Sequence, residues 1–377
     1  MKSKFASFIM TIIMILIITI LGLFGIMIYQ EITGENAGTQ VQNFVSTYKT
    51  MIDDMQDEEK VTTPQIIESN VNSMSSTPTA NTDVNYDTIQ VNKYFYDQLD
   101  DYSKTIYKAL EANKEQMKTG TAQIELGTSF SSLLEQEDGE KLLGEYYQSA
   151  VESYLYDNPD VFYITANKLY LNIETITKRN KKTYNVYINN GKHPNYFADD
   201  FTSEEQVRQA IEEVEQVKNQ IVANKTGNTY TDIKMVHDYI INNVEYDTTI
   251  SQPYIYNLYG TLVKHKSVCE GYAESFKYLL DALEIPCIIV IGEATNSSGE
   301  TENHAWNYVQ INGEWYAVDT TWDDPVIIGN GKISNESKYK YFLRGSSRMS
   351  QEHVPNPQLT DGGKVYEYPR LRIYDYN

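Results

Sequence analysis

The sequence predicts an α+β protein whose core is a cysteine-bearing helix packed on an antiparallel sheet. Two observations predict that core: an apolar helical face follows Cys269, and two strand-like runs further along are joined by Asn312-Gly313. A third observation, an uncharged stretch at residues 8–29, predicts an N-terminal transmembrane helix. A smaller α+β module is expected between this helix and the core.

The chain begins with an apolar stretch of 22 uncharged residues, at residues 8–29. A helix of this length spans about 33 Å, which is enough to cross the hydrocarbon core of a bilayer. Lys2 and Lys4 precede it and Glu31 follows it, so the N-terminus is expected in the cytoplasm and the rest of the chain outside the cell. A cleaved signal peptide is the alternative. No small-residue cleavage site is apparent, which favours an uncleaved anchor over residues 1–30.

The composition fits a protein that faces the outside of a cell. The 377 residues include 52 acidic and 31 basic side chains, for a formal net charge of −21. Such a charge repels phosphate backbones, so DNA and RNA are excluded as partners. The 32 tyrosines are expected mainly to pack in aromatic-rich helices and strands, with a binding face as the alternative.

Two regions separate the predicted anchor from the core. Residues 31–92 are predicted to be a partly disordered stalk, because polar residues and proline dominate much of this stretch. Residues 93–225 are predicted to form the α+β module, in which a capping box at Ser203 and Gln206 begins a long helix. Its other helical faces and strands are marked by Phe95, Leu99, Tyr102, Ile106 and Leu110; by Leu143, Tyr147, Ala150, Val151 and Tyr154; and by Leu169, Leu171, Ile173, Tyr184, Val186 and Ile188. Structural support is its expected role, and substrate binding or a propeptide-like role is the alternative.

Cys269 is predicted to lie in or just before the first turn of a helix. Apolar residues recur behind it at spacings of three and four, at Ala273, Phe276, Leu279, Leu280 and Leu283. Unpaired N–H groups in a first turn carry partial positive charge, which favours a thiolate and can hold an oxyanion. A buried, unreactive cysteine is the alternative. Cys287 begins a run suited to a buried strand, and a disulfide between the two cysteines is a further, disfavoured alternative.

The second chemical feature is a predicted β-hairpin. The runs on both sides of Asn312-Gly313 are rich in aromatic and branched residues, and this dipeptide is typical of a type I′ turn. With the turn centred there, Trp306 faces Asp319 and His304 lies diagonal to Asp319 on the same face. Diagonal neighbours are about 7–8 Å apart, so the carboxylate can hold the imidazole in one tautomer. The alternative is a solvent-facing histidine and an aspartate at a strand end.

Three runs of the chain resemble a known family: residues 268–273 (VCEGYA), residues 304–307 (HAWN) and residues 315–325 (WYAVDTTWDDP). In this order they resemble the core of the transglutaminase-like superfamily, and especially its bacterial branch, whose members are often secreted or membrane-anchored. The resemblance implies a papain-like α+β core over residues 226–348. Residues 349–377 are then a tail that packs on this core.

The same resemblance implies a Cys-His-Asp triad that attacks a carboxamide or peptide carbonyl through a thioester. Carried over residue by residue, Cys269 is the nucleophile, His304 the general base and acid, and Asp319 the residue that orients His304. The flanking runs at residues 243–247 and 341–343 also resemble the bacterial branch.

One departure from the family pattern concerns the oxyanion hole. Some members use a tryptophan upstream of the cysteine, but the first tryptophan here is Trp306, and Val263 stands where papain-like peptidases place a glutamine. The backbone N–H of Cys269 is then one oxyanion donor, and Asn257 or Tyr259 is the candidate for the second. Loop packing is the slightly favoured alternative for both of these side chains.

The remaining histidines are predicted to be structural. His237 falls inside a helix as a core or boundary residue, His265 in an exposed loop, His193 in a turn and His353 in the tail. No pair has metal-ligand spacing, so no metal or other cofactor is expected. The run Asp323-Asp324-Pro325 is predicted to be a turn.

Together these features predict a membrane-anchored, extracytoplasmic thiol enzyme that acts on peptide or glutaminyl amides. The expected partners are the membrane and an extracellular peptide or protein substrate, with a cell-wall-associated substrate as one candidate. Hydrolysis is favoured over transfer to an amine, because nothing in the sequence marks an amine site. A catalytically silent surface binding or scaffold protein on the same fold is the main alternative, and a peptidoglycan-associated factor is another.

Overall fold

The first sheet of the fold comes from the amino-terminal part of the described chain. The computed structural model describes residues 65–71, 84–178, 181–250, 252–324, 334–360 and 363–377. The strands are β1 (Gln65–Val71), β2 (Ile124–Gly127), β3 (Tyr170–Lys178) and β4 (Lys181–Asn189), in the order β1-β3-β4-β2. Strands β3 and β4 form the predicted antiparallel pair. Strand β1 runs parallel to β3, although it lies in the stretch predicted to be a linker.

Four helices accompany this sheet. They are α1 (Asp101–Ala112), α2 (Lys114–Met117), α3 (Ser131–Leu134) and α4 (Gly139–Asp157). The predicted helical face that starts at Phe95 is interrupted before α1, because the Asp100 side chain caps that helix by accepting the N–H of Ser103 at 2.9 Å. The N–H of Phe95 instead donates to the buried carboxylate of Asp157 at 3.1 Å.

Three longer helices lead to and include the core. Helix α5 (Glu204–Val222) begins at the predicted cap, where Ser203 accepts the N–H of Gln206 at 3.3 Å. Helix α6 (Thr229–Asn243) follows, and helix α7 (Cys269–Ala282) packs against the second sheet. The predicted apolar face of α7 is confirmed, since its five members Ala273, Phe276, Leu279, Leu280 and Leu283 are buried.

The second sheet carries the predicted hairpin. Its strands are β7 (Cys287–Thr295), β8 (Thr301–Ile311), β9 (Glu314–Val318) and β10 (His353–Pro355), antiparallel in the order β10-β7-β8-β9. Asn312 and Gly313 have φ of 54° and 79°, as a type I′ turn requires. Asn307 pairs with Val318, which confirms the predicted register. Shorter elements are β5 (Glu245–Tyr246), β6 (Lys266–Ser267), α8 (Asn335–Lys338) and α9 (Ser346–Met349).

The tail contributes an edge strand as well as packing. Strand β10 pairs with β7, where Val354 lies opposite Glu293. This approach depends on Gly292, because a Cβ at that position would lie 2.1 Å from the carbonyl oxygen of Val354. The side chain of Tyr366, further along the tail, is also buried.

The two sheets share one buried core. Its members run from Phe95 to Tyr366 in a single cluster. Many tyrosines are buried, among them Tyr107, Tyr147 and Tyr272, which confirms packing as a main role of this residue type. Among the described residues, no helix is both long enough and apolar enough to cross a membrane. The anchor predicted at residues 8–29 lies outside the described residues.

Candidate active site

The thiol of Cys269 lies at the first residue of helix α7. Val268 precedes it in extended backbone, and no side chain caps the helix. The first N–H groups of an α-helix have no intrahelical partners, so they lie free beside the thiol. Cys269 is half-buried and lines a cavity of about 600 Å³ together with Glu270 and His304.

The disulfide alternative is contradicted, because Cys269 and Cys287 are both free. Cys287 begins strand β7 inside the core, opposite Val309. Burial raises the pKa of its thiol well above the usual range. Of the two cysteines, Cys269 is therefore the accessible one.

His304 and Asp319 meet as the hairpin register predicts. The Nε2 atom of His304 lies 2.8 Å from Oδ2 of Asp319, and both side chains are buried. The other ring nitrogen, Nδ1, is left for the thiol, because Cys269 and His304 line the same cavity and Cys269 is among the groups that raise the pKa of His304. The structure thus brings the three residues of the predicted triad together.

The electrostatics of this cluster favour an imidazolium. Burial disfavours the charged ring, but the negative charge of Asp319 and the hydrogen bonds to Asp319 and Cys269 raise the pKa of His304 to about 10. Burial also opposes ionisation of Asp319, yet the charge and hydrogen bond of His304 and the hydrogen bond of His353 hold the pKa of Asp319 well below its usual range. A charged histidine next to a thiol favours the thiolate, which is the nucleophilic form.

His353, which the sequence places in the tail, is also part of this site. Its Nε2 lies 2.9 Å from the same Oδ2 of Asp319 that contacts His304. The ring is buried and packs against Trp322, with ring centroids 4.6 Å apart. The other carboxylate oxygen of Asp319 accepts the N–H groups of Thr321 and Trp322 at 3.0 and 3.1 Å. The carboxylate of Asp319 thus accepts four hydrogen bonds.

This cluster is also where a metal ion would be considered. The ligand atoms of His304, Asp319 and His353 lie within 4.8 Å of one another. The His–Asp distances of 2.8 and 2.9 Å are hydrogen-bond distances. A metal ion bound to both Nε2 atoms would displace the protons that they donate, so metal binding and the hydrogen-bonded arrangement exclude each other.

A second buried His–Asp pair braces the turn that follows Asp319. Nε2 of His237 lies 3.0 Å from Oδ2 of Asp323, whose other oxygen accepts the N–H of Tyr341 at 2.8 Å. The N–H of Asp323 donates to the carbonyl oxygen of Asp319 at 3.1 Å. His237 is therefore the satisfied core histidine that the sequence predicts. A turn ends at Asp323, and Pro325, the last residue of the run predicted to be a turn, lies outside the described residues.

The two candidate side chains for the oxyanion hole are engaged elsewhere. Nδ2 of Asn257 donates to Asp200 at 3.0 Å, and its Oδ1 accepts the N–H of Tyr259 at 3.0 Å. The hydroxyl of Tyr259 donates to Glu213 at 3.0 Å. Neither residue lines the cavity of Cys269. Loop packing, the favoured alternative, accounts for both.

Tyr246 lies on a strand beside the residues that precede Cys269, in the run 243–247, for which the sequence predicts no chemical role. Strand β5 pairs with β6 so that Tyr246 lies opposite Ser267, two residues before Cys269. The pKa of the half-buried Tyr246 is raised by burial and next by the charge of Cys269. The phenol is thus within electrostatic range of the thiol, although Tyr246 is not among the residues that line the cavity of Cys269.

Comparison with known proteins shows what the part of the chain around this site is similar to. Residues 215–320 match the model of the transglutaminase-like superfamily. The kyphoscoliosis peptidases of Mus musculus and Homo sapiens are distant relatives, each 26% identical over 159 residues, which is 37% of this chain and 23% of theirs. The chain thus spans about a quarter of the length of these curated relatives.

Solved structures are similar over part of the chain. A TGase structure covers 47% of this chain and 50% of its own, with 18% identity and a TM-score of 0.29. A putative cysteine protease from Cytophaga hutchinsonii covers 40% of this chain and 62% of its own, with 18% identity and a TM-score of 0.25.

Proposed function

We propose that this protein is a thiol enzyme that attacks peptide or glutaminyl amides, because residues 215–320 match the model of the transglutaminase-like superfamily. The observation that supports this most is the hydrogen bond between Asp319 and His304, whose imidazole lines the same open cavity as Cys269. A nucleophile, a proton carrier and a residue that orients the carrier are what amide cleavage through a thioester needs.

In the first half of the reaction, the thiolate of Cys269 attacks the amide carbon and the carbonyl oxygen becomes an oxyanion. His304 then gives its Nδ1 proton to the amide nitrogen, the C–N bond breaks, and ammonia or an amine leaves with the thioester on sulfur. The raised pKa of His304, about 10, keeps this proton available at neutral pH. Asp319 holds the ring through Nε2, so that Nδ1 stays directed at the thiol.

In the second half, water attacks the thioester and gives a proton to Nδ1 of His304. The thiolate is released with a carboxylic acid as product. Hydrolysis is the proposed outcome, because water reaches the half-buried sulfur from the cavity without any further binding site. A primary amine in place of water would give transfer instead.

The oxyanion is proposed to be held by the backbone N–H of Cys269 and by the hydroxyl of Tyr246. The N–H belongs to the first turn of α7, where the helix dipole favours negative charge. Tyr246 is supported by its position next to strand β6 and by its interaction with Cys269. This assignment replaces Asn257 and Tyr259, whose polar groups have other partners.

The proposal is tested by trapping the thioester on the detergent-solubilised full chain. Glutaminyl peptides are added, the reaction is quenched in acid, and the intact mass is measured together with released ammonia. We expect an acyl adduct on the wild type and on Cys287→Ala, which is the matched cysteine control, and none on Cys269→Ala or His304→Ala. If the wild type forms no adduct and releases no ammonia, a binding or scaffold role takes the place of the enzyme.

We also propose that residues 8–29 anchor the protein in a membrane with the thiol enzyme outside the cell. The proposal rests on the uncharged stretch and on the charges that flank it. Proteinase K added to intact cells should digest the domain. In untreated cells, the protein should fractionate with the membranes. A soluble mature chain that starts near residue 30 would contradict the anchor.

A further inference from the structure

A second cavity lies beside the thiol cavity and is lined by acidic side chains. Its volume is about 400 Å³, and it shares part of its wall with the cavity of Cys269. The shared wall is formed by Tyr156, Glu270, Ile291, Ala305, Leu359 and Thr360. A group bound there can belong to the same molecule as an amide at Cys269.

Three glutamates line this second cavity. Glu270 and Glu274 are one turn apart on α7, and Glu152 comes from α4. Tyr156 lines the same cavity, and after burial the charges of all three glutamates raise the pKa of its hydroxyl. Within the part of the chain that the structure describes, none of the three has an ion-pair partner.

Glu152 supplies an independent sign of a missing partner. Its side chain is only 5% exposed, and its Oε1 accepts the amide of Gln148 at 2.8 Å and the hydroxyl of Thr360. Its Oε2 is buried and has no hydrogen-bond partner among the described residues. An unpaired buried carboxylate oxygen is costly, and a ligand that donates a hydrogen bond there removes the cost.

The arrangement fits an organic cation better than a metal ion. Among the described residues, the group with three ligand atoms within 4.8 Å of one another is His304, Asp319 and His353, so the glutamates are too widely spaced to ligate one ion together. The rest of the wall contains apolar side chains, among them Leu155, Phe162 and Ile289, together with Asp199 and Asp200, which already pair with Lys168 and Asn257. Carboxylates at one end of an apolar cleft suit an aliphatic stem that ends in a positive charge.

We propose that Glu152, Glu270 and Glu274 form a specificity subsite for a lysine or arginine side chain of the peptide substrate, close in sequence to the amide that Cys269 attacks. The proposal rests on the proposed thiol enzyme function, because that function puts the amide of the substrate at Cys269. The basic side chain pairs with Glu270 and with Glu274, whose Oε2 also accepts the N–H of Leu258 at 3.1 Å, and it donates to the open oxygen of Glu152.

The test compares peptides that differ at one position beside the glutamine: lysine, arginine, norleucine or glutamate. Binding is measured by fluorescence anisotropy on full-length Cys269→Ser, and turnover on the otherwise wild-type chain. We expect the lysine and arginine peptides to bind and react about 10-fold better than the norleucine peptide. In Glu270→Gln/Glu274→Gln this ratio should fall towards one. The matched control is Glu302→Gln. Glu302 lines neither cavity, although its charge also acts on Tyr246, so this variant should keep the preference for lysine and arginine peptides over the norleucine peptide.

The outcomes separate the two proposals. Equal binding of lysine and norleucine peptides, or a preference that survives the double substitution, overturns the subsite. If Cys269→Ser prefers lysine but no peptide is turned over, the subsite stands and the enzyme function fails. If added pentylamine is covalently incorporated and the double substitution abolishes this, the cavity accepts a free amine and the assignment to the substrate's own side chain is overturned.

Discussion

Replacing Asp319 by asparagine is expected to remove the imidazolium that the proposed reaction needs at neutral pH. The two side chains are nearly the same size, and Oδ1 can still accept the N–H groups of Thr321 and Trp322. The substitution therefore changes mainly the charge that faces His304. Asp319 is the largest of the causes that raise the pKa of His304.

The size of the effect follows from the pKa of His304. Its ordinary value is 6.5 and its value in the structure is about 10, a difference of about 3.5 that corresponds to about 5 kcal/mol. Without the carboxylate, burial is opposed only by the smaller effect of Cys269, so the pKa of His304 should fall towards or below 6.5. At about pH 7.5 the ring is then neutral, and we expect kcat/KM to fall about 10³-fold or more.

The assay is the pH dependence of kcat/KM for a glutaminyl peptide. Because the pKa of His304 is raised, its protonated form persists above the ordinary value and is lost as the pH rises through about 10, which sets the alkaline limb of the wild type. In Asp319→Asn that limb should move below about pH 7. The matched control is Asp323→Asn. Asp323 is a buried carboxylate that contacts His237 at 3.0 Å and lies outside the cavity, so the alkaline limb of this variant should stay at the wild-type pH. An Asp319→Asn enzyme with its limb still near pH 10 would refute the reasoning.

Phenylalanine at His353 removes one of the donors to Asp319, worth about 1.5–3 kcal/mol for a bond to a charged group, so kcat/KM should fall about 10–100-fold. Glutamine at that position keeps a donor and should restore part of the rate; equal rates for both variants would contradict this role. Phenylalanine at Tyr246 should lower kcat about 10²-fold with little change in KM, as steady-state kinetics would show, whereas an unchanged kcat would exclude it as an oxyanion donor. Alanine at Gly292 places a Cβ 2.1 Å from the carbonyl oxygen of Val354, so it should lower both Tm and activity. An unaltered Tm would show that β10 does not pair there.

Local sequence patterns predict three residues of this site for clear physical reasons. A type I′ turn needs positive φ at two successive positions, which Asn312-Gly313 tolerates, so the turn determines the hairpin register. Strand side chains alternate with a period of two, and that parity places His304 and Asp319 on one face. The apolar spacing behind Cys269 marks the helix in the same way. Each of these inferences uses residues that are close together in the chain.

The acidic cavity depends instead on two helices that are far apart in the sequence. Glu270 and Glu274 share one face of α7, which spacing alone reveals, but Glu152 comes from α4. Within the sequence of α4, nothing distinguishes Glu152 from the other charged residues of that helix. Only the packing of α4 beside the thiol brings the third carboxylate into the cavity, and no periodicity in the sequence encodes that contact.

The sequence does not predict that His353 and Tyr246 belong to the site, because their strands are too short to show alternation. Strand β10 has three residues and β5 has two, and each finds its partner through an edge that only the folded core presents. Pro355 is compatible with an edge strand, but it does not identify which edge. Since a buried imidazole needs a hydrogen-bond partner, the pairing of β10 with β7 and the contact of His353 with Asp319 should stabilise each other. A substitution that weakens the pairing of β10 should therefore also weaken the hydrogen bond from His353 to Asp319. It should slow the reaction even though Cys269, His304 and Asp319 are unchanged.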